Sequence, residues 1–358
     1  MASNHGPVMV AMSGGVDSSV AAALLIEAGH EVVGVTMKLW GGPSDTGCCA
    51  VSDVDDARRV ADRLGIEHHV FNFGEDFERD VIEPYVADHA AGRTPNPCIE
   101  CNRHLKFDRL VRRADALGFD QLATGHHARI VQTSAGPRLG RGIDDAKDQA
   151  YVLHVIEESV LARMLLPVGE LTKADVRRLA ADLDLRTAQK PESQDVCFIT
   201  NEHGRQAFLG DRIPLKPAAV VDREGAELGS VASVELVTIG QRKGLGLAGG
   251  TDPRYVIDVG VDEAGDRRVT VGEKADLDAP TTAIESWRWV GEVPDGPLTF
   301  QCSAHGRPDA GRFDGDRVTW DEPHRRIAPG QSVVAFAIDA TTGVEYVAGG
   351  GIAGRTPL

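Results

Sequence analysis

The sequence predicts an α/β protein. An N-terminal domain built on a doubly wound, mostly parallel sheet is followed by two small β-rich, barrel-like domains. Three observations predict it. Apolar runs of strand length alternate with helix-period segments through residues 1–204. A glycine turn, Ser13-Gly14-Gly15, joins the first such run to the first helical segment. Near residue 205 the helical period fades, and short branched runs separated by Gly, Pro and Asp take over. The expected domains are 1–204, 205–273 and 274–358.

Residues 8–12 read as a buried strand, and residues 18–28 as a helix that Gly29 stops. Residues 31–38 alternate and branch like a second strand. Residues 41–46 form a loop, and Ser52-x-x-Asp55 marks a capping box for a helix over 53–64. Residues 67–73 are a third strand, and 77–91 a long helix interrupted near Pro84. Pro95 and Pro97 fix an extended loop that carries Cys98-x-x-Cys101. Helical period returns over 105–117 with a basic stripe, Arg103, Lys106, Arg109, Arg112 and Arg113. Residues 119–124 are a buried strand ending at Gly125-His126-His127, and 129–141 a hairpin turning at 134–137. A short helix spans 151–155, and Thr172 caps a helix over 173–183. A polar loop, 189–195, leads to Val196-Cys197-Phe198. Strands are then expected at 218–221, 235–239, 255–261, 268–271, 298–302, 317–320, 332–338 and 346–348.

The glycine turn is where chemistry first shows. Glycine permits close backbone approach, and a helix start offers unpaired N–H groups and a positive dipole end, so strand, turn and helix make an anion seat. Ser13, Ser18 and Ser19 add hydroxyls. Asp17 repels phosphates unless a metal lies between, which points to Mg²⁺ held indirectly. No Gly-Lys-Ser/Thr follows, so this is not a kinase-type P-loop. The stretch resembles the loop of the ATP pyrophosphatase (PP-loop) superfamily, whose members cut ATP between its α and β phosphates. That resemblance implies adenylation of a substrate.

Composition narrows the classes. A chain of 358 residues with 42% hydrophobic residues can bury real cores. No apolar run approaches the ~20 residues of a membrane span, and residues 1–7 carry no signal pattern. A cytoplasmic protein without membrane partners is the expectation. The net charge of −16 argues against nonspecific coating of nucleic acid, so an RNA substrate would need a local basic face. Residues 101–150 hold nine Lys and Arg against six Asp and Glu and are the candidate. The six cysteines, Cys48, Cys49, Cys98, Cys101, Cys197 and Cys302, suit catalysis, metal binding or burial better than a disulfide framework. A thiol beside a helix start is activated, and two loop thiols on an ATP site suit sulfur transfer.

Taken with Thr94-Pro-Asn-Pro-Cys98, Lys106-Phe107, Thr124-Gly-His126, Lys147-Asp-Gln149, Ser193-Gln-Asp-Val-Cys197-Phe198 and Thr238-Ile-Gly-Gln-Arg-Lys-Gly244, the loop makes the chain resemble the bacterial tRNA-specific 2-thiouridylase family over nearly its whole length. The resemblance implies an adenine nucleotide alpha hydrolase-like catalytic domain and 2-thiolation of the wobble uridine of tRNA. It implies ATP and Mg²⁺ as cofactors, and a cysteine desulfurase or sulfur-relay protein as persulfide donor. It carries Cys101 over as nucleophile, Cys197 as persulfide carrier and Asp17 as catalytic. ATP would be held by Ala11, Met12, Ser13, Gly14, Gly15, Val16, Asp17, Ser18, Met37 and Gly125. Asn96, Pro97, Cys98, His126, Lys147, Asp148, Gln149 and Gln331 would meet tRNA. The chain departs from the pattern twice. Some members carry Asp at the position of Cys98. In the last domain, Cys302-Ser303-Ala304-His305 stands where an Arg is usual, leaving Arg307 or Arg312 as substitutes. Two rivals stay open: the same thiolation through a 4Fe-4S cluster on Cys98, Cys101 and Cys197, and a PP-loop synthetase for a small metabolite.

Overall fold

Val8 to Met12 is apolar without alternation because both faces of its strand are covered. The computed structural model describes residues 6–39, 51–191, 196–199, 204–247, 252–261 and 266–357. Trp40, Cys48, Cys49, Ser193, Gln194 and Asp195 lie outside the described residues. Strand β1 (Val8–Ala11) is flanked by β2 (Val32–Lys38), β3 (Glu67–Asn72), β4 (Gln121–Thr124) and β7 (Met164–Leu165) in the order β3-β2-β1-β4-β7, and every pairing is parallel. Val8, Val10 and Met12 face one core with α1 (Val16–Glu27), α2 (Val51–Leu64) and α9 (Lys173–Asp182). Met9 faces the other, with Met37, Phe77, Tyr85, Ile99, Leu105 and Phe107.

The second layer is built from two long helical rods. The first runs α3 (Gly74–Phe77), a π-turn over Glu78–Ile82, and α4 (Glu83–Ala90). Pro84 therefore does not break the helix as the sequence suggests. It sits in the first turn of α4, just after the wider turn, where a missing N–H costs little. The second rod runs α5 (Pro97–Glu100), a π-helix over Cys101–Arg109, and α6 (Leu110–Ala116). Here the helix begins well before the expected start. Asn96 caps it by accepting the Cys98 amide at 3.1 Å, and Pro97 supplies the first-turn φ. Cys98 and Cys101 are thus helical, not in a loop ahead of the helix. The expected capping box at Ser52 is likewise displaced, since α2 already starts at Val51. The cap expected at Thr172 is present, and Thr172 and Asp175 close it reciprocally as a capping box.

Hairpin β5 (Ala128–Thr133) and β6 (Gly136–Arg141), then α7 (Ala150–Leu153) and α8 (Glu158–Leu161), carry the chain to β7. After α10 (Gly204–Gly210) comes a four-stranded sheet, β10-β11-β8-β9, from β8 (Ala218–Val221), β9 (Glu227–Val231), β10 (Tyr255–Val261) and β11 (Arg267–Gly272). The strand expected at 235–239 is instead a 3₁₀ turn over Val234–Leu236, because Glu235 turns inward to pair with Arg267 at 3.5 Å and to accept the Lys216 amide at 3.0 Å. The last six strands close a barrel, β12-β15-β14-β13-β16-β17, from β12 (Asp278–Trp289), β13 (Leu298–Gln301), β14 (Asp309–Phe313), β15 (Arg317–Arg325), β16 (Ser332–Ile338) and β17 (Glu345–Ala353). Strands β9, β12 and β14 escape a periodicity reading because charged and small residues dominate them.

The barrel is bolted to the first domain through Arg141. Its guanidinium donates to Asp148 at 2.9 Å, Gln301 at 2.8 Å and Glu345 at 2.9 Å, and stacks on the Phe336 ring at 3.7 Å. Ser134 donates to Asp339 at 2.6 Å, and Tyr151 to the Ser332 carbonyl at 2.9 Å. Arg141→Ala strands Asp148, whose side chain is 6% exposed, without its cation. It should lower the unfolding free energy by about 3 kcal/mol. An unchanged urea midpoint would show that this hub is idle.

His89 and His154 are buried, and desolvation pushes each down to about 4. The unfolded chain binds protons from about pH 6.5 downward, whereas the folded one does so only near 4, so stability falls as pH drops through that window. His154 accepts no charge at neutral pH and donates through Nδ1 to the Tyr151 carbonyl at 2.7 Å. His154→Asn keeps an N–H there and removes the titration. Its urea midpoint should fall less between pH 7 and pH 4.5 than that of the wild type.

Candidate active site

The glycine loop lies at the C-terminal edge of the parallel sheet, between β1 and α1, where such sheets present their crevice. Gly14 takes φ +70°, and a Cβ there would collide with the Asp53 carbonyl of α2. Gly15 caps α1 without any side-chain partner. Along the loop, Ser13 is exposed and Gly15 and Asp17 are half-buried, whereas Met12, Gly14, Val16, Ser18 and Ser19 are buried. The hydroxyls of Ser18 and Ser19 donate inward to the Gly15 carbonyl at 3.2 and 2.8 Å, and Ser18 accepts the Ser13 amide at 3.1 Å. Two of the three expected phosphate hydroxyls are therefore used to shape the loop. Ala11 ends β1 opposite Thr124, and Met37, next to the last residue of β2, is buried in the core cluster that also holds Phe73 and Phe77.

Asp17 is held by a lysine and a histidine from distant parts of the chain, neither of which the sequence assigns to the site. Lys173, the first residue of α9, donates to both carboxylate oxygens at 2.7 and 2.6 Å. His127 approaches with Nε2 at 3.1 Å. Burial acts to raise the Asp17 carboxyl, but the His127 and Lys173 hydrogen bonds and their charges outweigh it and hold it below its ordinary value. The repulsion between Asp17 and a phosphate, which called for a metal, is thus relieved by Lys173 within the protein itself. A single carboxylate flanking bound phosphates remains a suitable partner for Mg²⁺, which keeps most of its ligands as water and phosphate oxygens. The only sequence signal for Lys173 was its place directly after a helix cap.

Gly125 allows the end of β4 to press on this loop. A Cβ there would strike the Ser18 amide and lie 2.6 Å from the Asp17 carbonyl carbon. His126 follows. Desolvation, then the Lys106 charge, holds its imidazole well below the ordinary value, so it stays neutral. Its Nε2 lies 3.3 Å from Lys106 Nζ and its Nδ1 2.6 Å from Thr124 Oγ1. A lysine ammonium only donates, so Nε2 is the acceptor and Nδ1 carries the proton to Thr124. Of Lys147-Asp148-Gln149, two side chains serve the scaffold. Asp148 pairs with Arg141 and accepts the Gly142 and Ala150 amides, and Gln149 accepts the His127 amide at 2.9 Å.

Cys98 is half-buried and Cys101 is 9% exposed. Their helix is pinned from the barrel: the Thr94 amide donates to the Pro329 carbonyl at 2.7 Å, and the Gln331 side chain donates to the Thr94 carbonyl. Gln331 thus seats the cysteine helix against the barrel. Arg312 is exposed on β14. Cys197, half-buried, borders the same core cluster as Cys101. Its neighbour Phe198 anchors it, packing edge-on to Phe77 and Tyr85 with ring centroids 5.8 and 5.3 Å apart. Cys98, Cys101, Cys197 and Cys302 are all thiols, and burial pushes that of Cys302 up, out of reactive range. Among the described residues no three His, Cys, Asp or Glu side chains converge as a metal site requires. The ligand set of a 4Fe-4S cluster is therefore not assembled here.

The basic stripe is largely neutralised. Arg103 pairs with Glu100 at 3.2 Å, Arg109 with Asp76 at 3.3 Å and Asp80 at 3.6 Å, and Arg112 with Asp108. Sequence windows count charge but cannot see carboxylates delivered from the neighbouring rod.

A family model described as the tRNA methyl transferase HUP domain matches residues 6–201, and one described as the tRNA methyl transferase PRC-barrel domain matches residues 206–273. The chain is 45% identical over 357 residues to the tRNA-specific 2-thiouridylase MnmA of Carboxydothermus hydrogenoformans, covering 94% of this chain and 96% of that one. It is 45% identical over 366 residues to the protein of the same name in Mycobacterium avium, covering 98% and 99%. Among solved structures, the complex of a 4-thiouridine synthetase with RNA and bound ATP is 22% identical, covering 54% of this chain and 44% of that chain at a TM-score of 0.37.

Gly125→Ala should push α1 off the end of β4. Calorimetry should find ATP binding weakened by about tenfold or more while circular dichroism stays that of the wild type. Unchanged affinity would mean that the β4–α1 approach does not shape the nucleotide seat.

Proposed function

The chain belongs to the tRNA-specific 2-thiouridylase family, and from that premise we propose that its glycine loop binds ATP to activate the C2 carbonyl of the wobble uridine for sulfur transfer. The enzyme is an ATP-dependent tRNA sulfurtransferase. The observation that carries the finer reading is that two thiols distant in sequence, Cys101 and Cys197, belong to or border one hydrophobic core cluster under the parallel sheet.

A urea-like carbonyl is a poor electrophile, and an AMP ester makes its oxygen a good leaving group. The Gly15 cap and the start of α1 present backbone N–H groups to the phosphates. Asp17, steadied by Lys173 and His127, flanks them. Bound Mg²⁺ supplies charge neutralisation for the departing pyrophosphate. Uridine O2 attacks the α-phosphorus and pyrophosphate leaves. The terminal sulfur of a Cys197 persulfide adds at C2, and AMP departs with the former O2. The Cys101 thiolate then attacks the Cys197 sulfur, so the S–S bond breaks, sulfur stays on C2 and a Cys101–Cys197 disulfide forms. An external thiol reductant restores both. The persulfide comes from a cysteine desulfurase or sulfur-relay protein. Asn96, Pro97 and Cys98, at the start of the cysteine helix, where Asn96 and Cys98 are half-buried over a buried Pro97, meet the splayed base. Lys147 and Arg312 meet backbone phosphates. Asp148, Gln149, His126 and Gln331 act on the RNA through the loops they hold.

Mass spectrometry of tRNA nucleosides after incubation with ATP, Mg²⁺ and a persulfide donor should show 2-thiouridine. Cys197→Ser should release pyrophosphate yet load no sulfur, and Cys101→Ser should load sulfur yet yield no product. Peptide mapping after one turnover should find Cys101 joined to Cys197 with Cys98 still alkylatable. A Cys98–Cys101 disulfide, or iron retained by the anaerobic protein, would overturn the relay.

A further inference from the structure

Lys190 has no part in the mechanism above, yet it touches the phosphate loop. Its ammonium donates to the Gly14 carbonyl at 3.0 Å, to Asp53 at 2.6 Å and to Asp56 at 2.6 Å. All three of its protons are thereby used, one on the loop and two on the first turns of α2. We infer that Lys190 is a positioning residue for ATP: it fixes the Gly14–Gly15 peptide plane so that the Gly15 N–H is aimed into the phosphate seat. The inference rests on the ATP reading of this loop.

The physical argument is the geometry of the peptide. A trans peptide is planar, and its C=O and N–H point in opposite directions. A carbonyl drawn toward Lys190 therefore turns the next N–H, that of Gly15, to the other side. Gly15 is the cap of α1 and has no side-chain hydrogen bond of its own. Gly14 and Gly15 have no side chains that could resist a flip of this plane, and Gly14 already stands at φ +70°. Something outside the loop must hold it. Packing does part of this, since the Asp53 backbone lies against the Gly14 Cα. Lys190 adds a charge-assisted hydrogen bond, the stronger kind.

The holder is itself held from several sides. Arg186 pairs with Asp56 at 3.0 Å from the 3₁₀ turn ahead of Lys190. Arg177 of α9 donates to the Ala188 carbonyl at 2.8 Å and to the Lys190 carbonyl at 3.3 Å. The backbone that carries Lys190 is thus clamped to the helix whose first residue, Lys173, grips Asp17. Burial acts to lower the Lys190 pKa, but its Asp53 and Asp56 hydrogen bonds and charges raise it above the ordinary value, so it keeps its charge.

The test uses the full-length protein. ATP binding to the wild type, Lys190→Met and Lys190→Arg is measured by calorimetry, with the KM for ATP and kcat of tRNA-dependent pyrophosphate release, and tRNA affinity by filter binding. Lys190→Met should raise both the ATP dissociation constant and the KM by about tenfold, the worth of one charge-assisted hydrogen bond, with kcat and tRNA affinity near wild type. Lys190→Arg should recover most of the loss, because a guanidinium can still donate to a carbonyl and two carboxylates. Asp53→Asn tests the same point without touching the ammonium and should cost less than Lys190→Met. A Lys190→Met protein with wild-type ATP affinity and KM would overturn the inference and leave the ATP reading intact, as would loss of kcat alone. A wild type that binds no ATP would overturn both.

Discussion

The ion pair between Asp17 and Lys173 is the interaction on which the site depends. It joins the first turn of α1 to the first turn of α9, and His127 joins both to the end of β4. A carboxylate at the positive end of α1 is favoured by the dipole, but it occupies the place where phosphates would gather. Lys173 removes that conflict. The cost of bringing an ammonium to a half-buried spot is offset by two short hydrogen bonds and by the capping box that starts α9 beside it.

Two lysines touch the loop and a third meets His126 next to Gly125, and each is matched differently. Lys173 meets a carboxylate of the loop itself, Lys190 meets its carbonyl and two carboxylates of α2, and Lys106 meets a neutral imidazole. The matched pairs explain how a chain of net charge −16 can hold an anionic nucleotide: charge is placed locally and oriented, not accumulated. The same economy shows on the second rod, where Arg109 is tied to Asp76 and Asp80 of the first rod and Arg103 and Arg112 to carboxylates of their own rod.

The barrel reaches the chemistry through the scaffold. Pro329 and Gln331 hold the loop ahead of Cys98, and Glu345, Gln301 and Phe336 hold Arg141, whose partner Asp148 precedes Gln149. Gln149 accepts the amide of His127, and His127 touches Asp17. Docking of the last domain and the shape of the nucleotide seat therefore share one run of hydrogen bonds. A chain lacking the barrel would lose the partners of both the cysteine helix and the hairpin.

The strand, glycine turn and helix at residues 8–28, the alternation behind the parallel sheet and the two-cysteine theme were legible in the sequence, because each is written in residues that are neighbours along the chain. Periodicity found β1, β2, β4, β8, β10 and β16 to within a residue or two, since their apolar content reports burial directly. It failed where contacts made across the fold override local preference. The cysteine helix starts at Pro97 because Asn96 caps it and the barrel holds its approach. Glu235 turns a would-be strand inward to reach Arg267. Strands β9, β12 and β14, rich in charged and small residues, are strands because they are paired, not because they are apolar. Likewise Asp17 could be picked out by position, but its cation comes from residue 173 and its imidazole from residue 127. Only folding brings charges so far apart in the chain within hydrogen-bond range, and that is why the tertiary structure, and not the sequence, decided how the site is balanced.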